Sequence, residues 1–200
     1  MKVSLGFTLL FTLSLVSAWT LGASQYKQVK PPKTLPEFSM EDQYGEKFGL
    51  DALKGHWSII FVGFTTCPDV CPFTLANLEA VRADLSLRVR PDRLPRVIFL
   101  AVDPDRDRAV LGEYLEYFHP NYIGITGEKE QIDTLIKGLG SFYRLAKRGA
   151  DDMNYDVVHA ATVYITNPQA EVVAEMNPPF DPVATGEYLF NIIRGVKFND

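Results

Sequence analysis

The sequence predicts an α/β domain in which strands and helices alternate, and three observations carry that reading. Trp57 to Phe64 and Val97 to Val102 are nearly unbroken apolar runs rich in β-branched residues, which suits strands covered on both faces. The segments after them, Phe73 to Leu87 and Arg108 to Phe118, place apolar residues at helical spacing: Leu75, Leu78, Val81 and Leu85 in the first, Val110, Leu111, Tyr114, Leu115 and Phe118 in the second. Late in the chain, Thr162 to Thr166 and Glu171 to Met176 flank Asn167-Pro168-Gln169-Ala170, which reads as an antiparallel hairpin.

The remaining elements fall into place around these. From Phe38 to Phe48 two short extended pieces surround Asp42-Gln43-Tyr44-Gly45, a turn that ends on a residue tolerant of positive φ, so an amino-terminal hairpin is expected. Tyr122 to Ile125 reads as a third strand, Lys129 to Leu139 as a helix, Phe142 to Leu145 as an extended piece, and Asp181 to Gly195 as the closing helix. A βαβ half followed by a ββα end is the order that a thioredoxin-like fold requires. Aromatic residues such as Tyr114, Tyr117, Phe118, Phe142 and Tyr143 are read as core.

The chain has 200 residues, enough for one domain and a short targeting segment. With 46% hydrophobic and 22% charged residues it is ordinary for a packed domain, which excludes disordered and coiled-coil classes. Its 20 Lys and Arg against 25 Asp and Glu give a net charge of −5, so no basic surface is available for phosphates and nucleic acid is excluded as a partner.

Val3 to Gly22 carries no charge and is rich in Leu, Phe, Val and Thr. Residues 1–23 are therefore expected to enter a membrane, as a signal anchor or as a signal peptide cleaved behind Ser17 and Ala18. The lack of a Cys near Ala18 excludes a lipoprotein anchor, and the lack of an Arg-rich presequence argues for bacterial export. Residues 24–37 are polar and carry Pro31, Pro32 and Pro36, and are expected as an extended spacer before a domain at 38–200.

Only two cysteines are present, Cys67 and Cys71, in Phe64-Thr65-Thr66-Cys67-Pro68-Asp69-Val70-Cys71-Pro72. Proline is most comfortable as the first residue of a helix, which makes Cys71 the expected cap and leaves Cys67 in the loop ahead of it. The positive end of the helix dipole there favours thiolate, the form that attacks disulfides and binds soft metals. A purely structural disulfide is a weak alternative, because closing so short a loop constrains the unfolded chain little.

Two thiolates leave a copper or zinc ion under-coordinated, and an imidazole would complete a trigonal site for copper. Of the three histidines, His56 precedes the central strand at the sheet end away from the cysteines, and His119 ends a helix. Both read as ordinary surface or capping residues. His159 lies just before the Thr162 to Thr166 strand, where a thioredoxin-like domain faces the cysteine-bearing helix end.

The cysteine segment, Val102-Asp103-Pro104-Asp105-Arg106-Asp107 and Tyr155-x-x-x-His159, in that order, resemble the Sco (SenC) family from about Phe38 to Gly195. The resemblance implies a membrane-tethered thioredoxin-like domain that binds copper through Cys67, Cys71 and His159. It also implies assembly of the copper centre of respiratory cytochrome c oxidase, by delivering copper, by reducing the oxidase subunit's cysteines, or both. The implied partners are that subunit and other copper chaperones or thioredoxin-like reductants; with the leader read for bacterial export, the domain is expected in the periplasm, held on the inner membrane, or exported and soluble if the signal is cleaved. Val158 and Ala160 stand where members of this family commonly have Asp and Ser or Thr. The acceptor for the second ring nitrogen of His159 is therefore expected from Asp151, Asp152 or Asp156.

Other readings fail on spacing. Asp103, Asp105 and Asp107 alternate as in a calcium loop, but Arg108 stands where Gly is needed and Tyr114 where a bidentate Glu is needed. Asp107 is expected instead to cap the helix that follows. A peroxidase of the peroxiredoxin plan lacks its Thr and Pro ahead of the cysteine, since Phe64 and Ile60 stand there. The alternative that survives is a metal-independent thiol-disulfide oxidoreductase using Cys67 and Cys71 alone.

Overall fold

The computed structural model describes residues 25–149 and 152–195. The apolar segment at 1–23 lies outside the described residues, within which no helix is long and apolar enough to cross a membrane.

In chain order the sheet begins with β1 (Tyr26–Thr34), the hairpin β2 (Ser39–Asp42) and β3 (Lys47–Gly49), and the central strand β4 (Ser58–Gly63). Helix α1 (Val70–Ser86) leads to β5 (Arg96–Ala101), and the short α2 (Pro104–Asp107) and α3 (Leu111–Glu116) lead to β6 (Ile123–Thr126). Helix α4 (Lys129–Leu139) precedes a ribbon of β7 (Tyr143–Leu145) and β8 (Val157–His159). The hairpin β9 (Val163–Thr166) and β10 (Glu171–Met176) and helix α5 (Pro182–Ile193) complete the order. Among the described residues, eight strands form one sheet in the order β1-β10-β9-β4-β5-β6-β2-β3, and β7 and β8 pair apart from it.

Strand β4 runs parallel to β5 and antiparallel to β9, and all six of its residues are buried. Successive strand side chains point to opposite faces, both covered here, which explains why Ile59 to Val62 are all apolar. Ile59 and Phe61 pack with Leu75, Leu78 and Val81 of α1 and Leu189 of α5. Ile60 and Val62 point the other way, onto Ile132, Leu135 and Leu139 of α4. Each such side chain contributes roughly 1.5–3 kcal/mol on burial. This three-layer sandwich holds the carboxyl end of β4, and the loop after it, in a fixed place.

Four expectations change. The Pro-containing stretch is extended as expected, but it forms the sheet's edge strand, with Tyr26 opposite Met176 and Lys33 opposite Val172. Its register breaks between Gln28 and Lys33, around Pro31 and Pro32, and an edge strand tolerates prolines because its outer N–H groups need no partner. The sheet thus includes residues ahead of Phe38. Helix α1 starts at Val70 with Asp69 as its cap, so Cys71 lies inside the first turn and Pro72 is the third helical residue. Proline costs nothing there, because the first four N–H groups of a helix have no partner within it. The helix expected over 108–118 is two short pieces, and Asp107 is buried within α2 instead of capping α3. Finally, Tyr117 and Phe142, read as core, are 85% and 57% exposed.

Candidate metal centre

The loop from β4 into α1 carries Cys67, and the first turn of α1 carries Cys71; both are buried thiols with no disulfide between them. The Asp69 side chain makes no capping bond. The Cys67 sulfur takes that place, accepting the Cys71 N–H at 3.4 Å. A hydrogen bond from the Cys71 thiol, helped by the backbone N–H groups of Asp69 and Cys71, brings the Cys67 pKa down to about 5 against the opposing effect of burial. The same hydrogen bond, and then burial, push the Cys71 thiol up. The pair therefore holds one thiolate and one thiol at neutral pH, with the charge on the more accessible sulfur.

His159 closes the site from the facing ribbon. It ends β8, where it pairs with Tyr143 of β7, and the next residue is tied by Ala160 N–H to Phe142 O at 3.1 Å. Its Nε2 lies 3.5 Å from Cys71 Sγ, and one donor atom from each of Cys67, Cys71 and His159 falls within 4.8 Å of the others. The edges of Phe61 and Phe64 pack against the imidazole, at centroid distances of 6.2 and 5.6 Å. The acceptor for the second ring nitrogen is a backbone oxygen: His159 Nδ1 lies 2.9 Å from Ala160 O. A carbonyl oxygen can only accept, so Nδ1 carries a proton and the ring is held with Nε2 toward Cys71 Sγ.

Of the aspartates expected to supply that acceptor, Asp152 has its carboxylate engaged elsewhere. Asp152 holds Arg148 at 3.0 Å, the backbone oxygen of Asp156 accepts the Ala146 N–H at 2.8 Å, and Asp151 lies outside the described residues. His56 sits ahead of β4, at the strand end opposite the cysteines, and His119 follows α3, its Nδ1 accepting the Asn121 N–H at 3.0 Å. Neither joins the cluster, as expected.

The loops that hold the site are knitted by the segment after β5. The buried Asp107 carboxylate accepts from Thr65 N–H and Thr65 Oγ, both at 2.7 Å, and from Asp103 N–H at 3.0 Å. Asp103, fully buried, accepts from the Tyr155 hydroxyl and pairs with Arg106, whose guanidinium lies 3.9 Å over the Tyr155 ring. Asp107 thus anchors the cysteine loop and Asp103 the approach to His159. These anchoring roles were missed in the sequence, where the signal was two acidic residues directly behind a buried strand. A second missed residue is Gly63: a methyl group there would lie 2.9 Å from Cys71 Sγ and 2.5 Å from Phe99 Cε2. Glycine within a buried strand marks such close approach.

Chemically, two sulfurs and one imidazole nitrogen are a soft donor set of three. The group contains no fourth His, Cys, Asp or Glu among the described residues, which suits a three-coordinate ion better than tetrahedral zinc. The same vicinal thiols also suit disulfide exchange.

Fold and site together define a thioredoxin-like dithiol domain with an imidazole brought against its cysteines. A model of the SCO1/SenC family matches residues 27–193, and the chain belongs to that family. Among curated relatives, an SCO2-like protein of Rickettsia conorii is 35% identical over 156 residues, 78% of this chain and 75% of the relative. The mitochondrial SCO2 homolog of Mus musculus is 32% identical over 181 residues, 84% of this chain and 69% of the relative. Among solved structures, yeast Sco1 with copper bound superposes with a TM-score of 0.74 at 29% identity, covering 82% of this chain and 90% of that one. Arabidopsis thaliana ScoI with copper bound gives 0.71 at 28% identity, covering 80% and 98%.

Proposed function

We propose that this chain binds copper through Cys67 Sγ, Cys71 Sγ and His159 Nε2, and delivers it to the copper centre of respiratory cytochrome c oxidase. The observation that carries the reading is the meeting of three soft donor atoms from two separate loops. Membership of the family, and the bound copper in the yeast and Arabidopsis structures, support it. Copper bound to only three donors stays open to a fourth, so a partner's thiolate can enter before any ligand leaves. In this reading the domain stands in the periplasm, tethered to the bacterial inner membrane by the apolar amino-terminal segment.

A second reading is favoured by the geometry of the pair: Cys67 Sγ, the more accessible sulfur, accepts the Cys71 N–H at 3.4 Å, and the neighbouring thiol holds its pKa down to about 5. Cys67 attacks a partner disulfide to give a mixed disulfide and a free partner thiolate. Cys71, once deprotonated, then attacks Cys67 Sγ, which releases the second partner thiolate and leaves the Cys67–Cys71 disulfide. Two electrons pass to the partner, and an external dithiol of the thioredoxin-like reductant class must restore the pair. Such a step would prepare the oxidase subunit's cysteines for metal.

The experiment that separates them is Cu(I) titration against a chromophoric chelator, with the reduced chain, the oxidised chain and Cys67→Ala, Cys71→Ser and His159→Ala variants. Copper delivery expects tight binding by the reduced wild type alone, because a disulfide sulfur is a poor ligand. Equal binding by wild type and variants would refute the metal site and leave the exchange reading.

A further inference from the structure

Next to the cysteine loop, on the sheet face that carries α1, a groove of about 400 Å³ opens between Thr65 and Thr66 on one wall and Val110, Tyr114, Tyr117 and Phe118 on the other. Its aromatic wall is ordered: Phe118 meets Tyr114 edge-on at 5.3 Å and Tyr117 at 5.2 Å. Yet Tyr117 is 85% and Val110 43% exposed, so part of this wall is apolar surface held in water. Burying it against a partner would recover free energy that folding leaves unused. The Tyr114 ring lines the groove, whereas its hydroxyl is buried beneath the surface.

Two features say what the occupant is. Thr65 and Thr66 immediately precede Cys67, so anything seated here touches the chain within two residues of a proposed copper ligand. Around the groove, Glu113 on its wall, Glu116 on the same helix and Asp69 on the cysteine loop are exposed, and no ion pair involves them among the described residues. No Lys or Arg lines the groove. An acidic rim around exposed tyrosine favours a cation that can pair with the carboxylates and lie over the ring.

We propose that this groove docks the copper-accepting partner, through a polypeptide segment that joins a bulky apolar or aromatic side chain to Lys or Arg beside its own thiol ligands. The proposal rests on the copper-delivery reading. Docking here holds the incoming thiols next to Cys67, so the groove sets the rate of transfer without touching the affinity of the site.

The test uses the full chain loaded with Cu(I) and synthetic acceptor peptides bearing two cysteines, one tryptophan and two lysines. Control peptides replace the lysines with glutamates or the tryptophan with serine. Tyr117→Ala and the paired Glu113→Gln, Glu116→Gln variant are expected to slow second-order transfer to the lysine peptide about five- to tenfold, with copper affinity unchanged, and to leave the glutamate peptide's slow transfer as it was. Added salt should erase the difference between the lysine and glutamate peptides. NMR shifts of Thr65, Thr66 and Tyr117 amides on adding the peptide to the metal-free chain give a readout independent of copper. Shifts without copper binding would keep the groove and sink the delivery reading. Copper binding with transfer indifferent to peptide and variant would overturn the groove, as would Tyr117→Ala dissolving a dimer, which would assign the surface to a second copy.

Discussion

Asp107 binds the chain at Thr65 twice over, its Oδ1 accepting both the backbone N–H and the hydroxyl at 2.7 Å. Thr65 stands two residues before Cys67, so a carboxylate 42 positions away fixes where the first sulfur sits. Burial pushes the Asp107 pKa up to about 6, and three donors still hold the group in place.

Replacing Asp107 by Ala leaves Thr65 N–H and Asp103 N–H without their acceptor, at a cost of about 1–3 kcal/mol for a buried unpaired group. The folded pKa is raised above the ordinary 3.8, so the native state holds the proton more tightly than the unfolded chain does. Wild-type stability from this group is full below about pH 4 and declines as pH rises through about 6. Thermal melts of Asp107→Ala should therefore fall further below wild type at pH 4 than at neutral pH. A gap independent of pH would contradict the assignment.

Gly63 lets Cys71 Sγ and Phe99 approach the central strand. In Gly63→Ala the new methyl group must displace both, inside a packed core, at about 1–3 kcal/mol. Copper affinity should fall with stability, because the displaced sulfur is a proposed ligand. Chemical denaturation together with copper titration checks both. An Ala variant with wild-type affinity would mean that Cys71 is free to relocate.

The cysteine pair gives reduced and oxidised protein different pH profiles. The Cys67 pKa is lowered from 9.0 to about 5, so its stabilisation is full above about 9 and is lost as pH falls toward 5. The Cys71 pKa is raised, so its contribution is full below about 9 and is lost above it. Melting temperature of the reduced minus the oxidised protein should therefore climb from pH 5 to about pH 9 and decline beyond. In Cys71→Ala the main donor to Cys67 is gone, and the midpoint for its alkylation should move up toward the ordinary ~8.5. A midpoint still near 5 would assign the stabilisation to the helix end alone.

Patterns of period two and of helical spacing are local, so they were legible in the sequence: the unbroken apolar run of β4, the stripe on α4, and the hairpin at Asn167 to Ala170. The meeting of Cys67, Cys71 and His159 was legible because their types are chemically rare and their spacing resembles a family. What stayed hidden is what depends on partners far along the chain. Pro31 and Pro32 read as spacer because nothing local reveals that Val172 and Met176 pair with the residues around them. Asp107 read as a cap because a side chain turned inward to Thr65 leaves no periodic trace. Ala160 gave no hint that its backbone oxygen, rather than a nearby aspartate, orients the imidazole. Tyr117 read as core because helical spacing tells which residues share a face, not whether that face is covered.

X-ray absorption at the copper edge of the reduced, Cu(I)-loaded chain tests the three-ligand site most directly. The spectrum should report two sulfur ligands and one imidazole nitrogen, and His159→Ala should lose the nitrogen while keeping both sulfurs. Two sulfurs with no nitrogen in the wild type, or a nitrogen that survives in His159→Ala, would contradict it.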